Sequence, residues 1–98
     1  MNIIKKQNNT TLTIALEGRM DITTAPDLEQ VVKNSLDGVT ELIMDFSKLD
    51  YISSAGLRVL LAAHKTMMKQ GSMKVIHANE MAMEVFEVTG FADILNIE

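Results

Sequence analysis

Leu12, Ile14 and Leu16 fall at every second position of TTLTIALEG, the period of a strand with one buried face, and Gly18 marks its expected end. Upstream, Asn2 to Lys6 reads as another strand, joined through a turn at Asn8 and Asn9, so the chain opens as a hairpin. The period then changes. In MDITTAPDLEQVVKNSLDG the residues Leu28, Val31, Val32 and Leu36 share one helical stripe, Thr24 and Asp27 fit a capping box, Pro26 suits the first turn and Gly38 stops the helix.

TELIMDF sets Leu42, Ile43 and Met44 side by side, the unbroken apolar run expected of a central strand covered on both faces. Ser47, Lys48, Leu49 and Asp50 read as a turn. A helix is expected from about Ser54 to Gly71, with Leu57, Leu60, Leu61, Met67 and Met68 on an apolar arc and Arg58, Lys65 and Lys69 on the opposite stripe. MKVIHA is a further strand. NEMAMEVFEVTG is a helix capped by Asn79 and closed by Gly90, directing Met83, Phe86 and Val88 inward, and FADILNI closes the chain. Strands alternating with helices behind a hairpin imply an α/β domain, a mixed sheet packed with helices.

Ninety-eight residues, 47% hydrophobic and 22% charged, suit one globular domain spanning 1–98. Nine basic and thirteen acidic side chains leave a net charge of -4, which opposes binding to a phosphate backbone, so no direct nucleic-acid contact is expected. The lack of cysteine removes disulfides and thiolate metal sites and favours a reducing compartment. NIIKKQNN after Met1 lacks the apolar core of a secretory signal, and nothing approaches the roughly 18 apolar residues of a membrane span, so the expectation is a cytoplasmic protein without membrane contact. Aromatic residues at 4%, with no tryptophan, disfavour a ring-lined ligand pocket.

Few residues offer catalytic chemistry. Ser54, Ala55 and Gly56 supply the end of a G-x-S-x-G elbow, but Ile52 stands where its first glycine belongs, and His64 lies about 15 Å further along the same expected helix. His64 falls in the apolar arc and is expected to be half-buried with a bonded ring nitrogen. No glycine-rich nucleotide cradle is present, and His77 with Glu80 makes a poor metal site. Asp21, Asp45 and Asp50 stand near strand ends, where convergence on one sheet edge competes with ordinary turn capping. No catalytic residue, cofactor or metal ligand is assigned.

The stretch YISSAGLRVL, Tyr51 to Leu60, places two hydroxyls at a helix entrance. One serine suffices to accept a bond from an unpaired backbone N–H, a contribution of about 1 kcal/mol. With Ser53 as cap, Ser54 falls at the first helical position, accessible to modification, with Ala55 and Gly56 small enough for another protein to approach. On the residues alone, capping and modification both stand.

GRMD at Gly18 to Asp21, LIMDFSKLDYISSAGLRVLL and VFEVTGFADIL together resemble, in order and over nearly the whole chain, the STAS domains and, within them, the bacterial anti-sigma factor antagonists. The resemblance implies a four- or five-stranded mixed sheet packed with helices, and a non-enzymatic role in partner switching. In that scheme the unphosphorylated antagonist binds an anti-sigma factor that is also a serine kinase, sigma factor is released, phosphorylation breaks the complex and a serine phosphatase restores it. By position Ser54 matches the phosphorylated residue and Asp21 the acidic neighbour, while Gly56 and Leu57 match the start of the recognition helix. Tyr51, Ser53, Ala55 and Arg58 complete the expected partner surface. Ser53 replaces the usual acidic residue and is itself open to modification; Ala55 replaces a serine or threonine, which removes one competing acceptor. ATP and magnesium belong to the kinase. The other reading is a constitutive STAS scaffold or accessory subunit of a transporter or signalling complex.

Overall fold

Asn9 turns the chain with a φ of 56°, and β1 (Asn2–Asn8) folds back antiparallel on β2 (Thr11–Met20). The computed structural model describes residues 1–98, continuing through α1 (Ala25–Ser35), β3 (Glu41–Ile52), α2 (Ser54–Met68), β4 (Ser72–Ile76), α3 (Glu80–Thr89) and β5 (Asn96–Ile97), with one 3-10 turn at Phe91–Asp93. The strands form one mixed sheet in chain order, parallel from β2 to β5. Each parallel connection therefore steps one strand in the same direction. Right-handed crossovers then place all three helices on one face.

That arrangement explains the burial pattern. Leu12, Ile14 and Leu16, Leu42, Met44 and Phe46, and Met73 and Val75 are buried beneath the helices, whereas Thr13, Ala15, Ile43, Asp45, Lys74 and Ile76 alternate with them and stay partly accessible. β3 is central as expected, but it is covered on one face only. The run Leu42, Ile43, Met44 mixes two buried residues with one on the helix-free side, which apolar content alone does not separate.

Both central strands outrun their expected ends. Gly18, at φ 99°, and register shifts between Ala15 and Glu17 and between Gly18 and Arg19 carry β2 on to Met20. Ser47 to Asp50 is correspondingly strand, not turn: the Asp45 carboxylate accepts from the Ser47 N–H at 2.9 Å, and the buried spacing widens from two to three at Phe46, Leu49 and Ile52. The polar residues that suggested a turn sit at this irregularity.

The helices bury most of the expected stripes. Leu28, Val32 and Leu36 are buried and Val31 partly so; Leu57, Leu60 and Met67 face inward together with Val59 and Ala63, while Met68 is 67% exposed. In α3 Asn79 caps as expected, accepting from the Ala82 N–H at 2.9 Å, and Gly90 ends the helix at φ 83°. Phe86 packs on Phe46 with ring centroids 6.2 Å apart. Val88 is 81% exposed, and Ala82 takes the inward position instead. His64 is half-buried, but its Nδ1 is buried with no hydrogen-bond partner, unlike the bonded nitrogen expected.

The positive φ at Gly18 is one that L residues rarely adopt, so any side chain placed there is strained. Gly18→Ala is expected to lower stability by about 1–3 kcal/mol in urea unfolding. An unchanged midpoint would show that the β2 irregularity can be rebuilt without a left-handed residue.

Candidate functional site

The extended ends of β2 and β3 create the site. Met20 pairs with Ile52, and the next residue, Ser53, donates its N–H to the Met20 carbonyl at 2.8 Å. Ser53 is extended, with φ -96° and ψ 175°, and its Oγ accepts from the Gly56 N–H at 3.4 Å. It is the N-cap of α2. Ser54 follows as the first helical residue, exposed and outside the cap.

Gly56 does not serve as an open approach for a partner. It is buried, and a Cβ built on it would lie 2.5 Å from the Met20 sulfur and 3.0 Å from Ile52 Cγ1. Its missing side chain lets the first turn of α2 sit against the sheet. Leu57 is likewise in the core at 7% exposure. Of the expected surface, Asp21, Tyr51, Ser53, Ser54, Ala55 and Arg58 keep solvent access, while Gly56 and Leu57 support them from beneath.

The turn after Met20 is built around Asp21. Its Oδ1 accepts from the Thr23 N–H at 2.9 Å, the Thr23 hydroxyl at 2.7 Å and the Thr24 N–H at 3.2 Å. In return the Asp21 N–H donates to Thr24 Oγ1 at 2.8 Å, and that hydroxyl donates to the Arg19 carbonyl at 2.8 Å. Thr24 therefore makes no capping box with Asp27, because its hydroxyl is turned back into this loop. The Thr23 side-chain and backbone bonds, with those of Thr24 adding less, hold the Asp21 carboxyl below its ordinary value of 3.8. The Arg19 guanidinium, exposed and 4.0 Å away, is a minor partner.

Arg19 and Ile22 belong to this surface although sequence reasoning passed over them. Arg19 is the register partner of Tyr51 and its guanidinium lies 4.3 Å above the ring, a pairing set by the extra residue that β3 takes up between Leu49 and Tyr51. Ile22, at 79% exposure, had a visible signal: an apolar residue inside the polar turn DITT. Ile22, Ala25, Pro26, Ala55 and Val59 line a shallow groove between α1 and α2, with Arg58 and Glu29 also on its walls.

The other candidates remain apart. Asp45 is committed to Ser47, His77 ends β4 at a φ of 59°, and no three histidine, cysteine or acidic side chains converge to hold a metal. No helix is long and apolar enough to cross a membrane.

A mixed sheet with helices on one face, and an exposed serine directly after the capping serine of its second crossover helix, defines an α/β domain. The STAS domain family matches residues 2–98, and the chain belongs to it. It is 29% identical over 98 residues to the anti-sigma-B factor antagonist of Bacillus subtilis, covering 99% of this chain and 90% of that protein. It is 35% identical over 88 residues to BtrV of Bordetella bronchiseptica, a protein named as a candidate anti-sigma factor antagonist, covering 88% and 76% of the two chains. The structure superposes on an anti-sigma factor antagonist from Mycobacterium paratuberculosis with a TM-score of 0.89 at 22% identity, covering 98% of this chain and 83% of that one. Against the phosphorylated form of the Bacillus cell fate determinant SpoIIAA the TM-score is 0.78 at 17% identity, covering 99% and 91%. These likenesses establish the fold as five-stranded STAS.

The depressed Asp21 carboxyl has a consequence for stability. Its ionised form favours the native state at pH values above the unfolded carboxyl's, and that contribution is lost as pH falls through the lower folded value. Asp21→Asn is expected to lower the melting temperature at pH 7, and the gap from the unsubstituted protein to close below about pH 4. A gap that persists unchanged at pH 2 would show that the turn depends on shape and not on the charge.

Proposed function

We propose that this protein is an anti-sigma factor antagonist whose binding to an anti-sigma factor with serine kinase activity is controlled by phosphorylation of Ser54. The observation that carries the reading is the division of labour between the two serines: Ser53 caps α2 and holds the β2 end, while Ser54 stands exposed beside it. The relatives named as antagonists supply the biological setting. The partner surface comprises Asp21, Tyr51, Ser53, Ser54, Ala55 and Arg58, shaped from below by Gly56 and Leu57.

Phosphate on Ser54 adds about -1.5 to -2 charges at the positive end of a helix, where it is favoured by roughly 0.3 to 1 kcal/mol, so the fold carries it without strain. A partner seated on Ser54 faces the opposite balance. It must desolvate a dianion, and a penalty of about 3–5 kcal/mol corresponds to a roughly 100- to 5,000-fold loss of affinity. The modification thus switches association while leaving the domain folded. The kinase supplies ATP and magnesium, a serine phosphatase resets the site, and the exchange takes place in the cytoplasm.

Incubation with the cognate kinase and ATP, followed by peptide mass spectrometry, is expected to place phosphate on Ser54 and leave Ser53 unmodified. Ser54→Ala should bind the anti-sigma factor constitutively, and the phosphorylated protein should bind at least about 100-fold more weakly in calorimetry. Equal affinity of the two forms would overturn the switch and leave a constitutive scaffold.

A further inference from the structure

Arg58 lies four residues after Ser54 on α2, exposed, and belongs to none of the protein's four ion pairs. Residues at i and i+4 share a helix face about 6 Å apart along the axis, and long helical side chains lean toward the N-terminus, so the guanidinium can sweep back over the preceding turn. An acidic group N-terminal to a basic one at this spacing is the favourable order. The neighbouring acidic groups each have another cation nearer to hand. Glu29, which shares the groove with Arg58 from α1, pairs with Lys33 at 3.9 Å, and Asp21 at the β2 end has Arg19 at 4.0 Å. The other cations of α2, Lys65 and its C-cap neighbour Lys69, lie roughly 16 and 22 Å along the axis from Ser54.

We propose that Arg58 is an internal receptor for the Ser54 phosphate, pairing with it through charge-assisted hydrogen bonds from its own helix. The inference rests on the reading of Ser54 as the modified residue and gives the switch a second component. In the unmodified protein Arg58 is an unpaired cation on the docking surface. In the phosphorylated protein it is drawn onto the phosphate, so one modification adds an anion and withdraws a cation from a partner. A planar guanidinium can meet two phosphate oxygens at once, which an ammonium does only as a point charge.

The test uses the full chain carrying phosphoserine at position 54, introduced during translation so that no kinase is needed, and follows the phosphate by phosphorus NMR against pH. The second ionisation is expected to lie lower by roughly 0.2 to 0.4 of a pH unit with Arg58 present than in Arg58→Gln, the size of an i to i+4 helix pair. Arg58→Lys should restore part of the difference, and Lys69→Gln should change nothing. Equal titration of the unsubstituted and Arg58→Gln proteins, or an effect of Lys69→Gln as large as that of Arg58→Gln, would overturn the pairing. A kinase that fails to modify Ser54 would count against the proposed function alone, because this titration reads the pairing without it.

Discussion

The parallel pairing of β2 with β3 out to Met20 and Ile52 is the constraint on which the site depends. From that pairing the Met20 carbonyl receives the Ser53 N–H, and Ser53 in turn starts α2. Met20 also supplies the thioether that fills the space a side chain at position 56 would need. One residue therefore fixes where the helix begins and how near the sheet it sits. Without the irregularities that carry both strands this far, Ser54 would have no defined relation to Asp21 or Tyr51.

The same pairing separates rigid from adaptable parts. Twenty-four buried apolar residues form one core, and no polar residue is buried. The surface above the core is built instead from two sets of local hydrogen bonds, the Asp21 loop and the Ser53 cap, and from the cross-strand stack of Arg19 on Tyr51. Their individual contributions are modest, but together they position charged groups above the core. In the proposed switch, such a surface changes its charge without disturbing the fold.

Chain-order strand pairing gives the domain an unequal pair of sheet faces. All three helices lie on one face because every crossover moves in the same direction. The helix starts after β2 and β3 consequently lie side by side, and the groove between α1 and α2 opens next to Ser54. Proximity of the Asp21 turn to Ser54 follows from topology, since the two are more than thirty residues apart in sequence.

Local physics made much of this legible in the sequence. Alternation in TTLTIALEG, the stripe through Leu28, Val32 and Leu36, the cap at Asn79 and the stop at Gly90 are set by neighbours a few residues away. The order of those elements, with the three motifs, was enough to imply the STAS fold. What the sequence could not carry was long-range. The continuation of β3 through Ser47 to Asp50 depends on β2 supplying partners, the inward place of Gly56 depends on Met20, and the placement of Arg19 over Tyr51 depends on a register shift. Whether Ile43 lies beneath a helix or on the free face depends on crossover direction. Short-range pattern determined the elements and the chemistry they hold; tertiary pairing decided which of those groups share a surface, because register and handedness are properties of several strands at once.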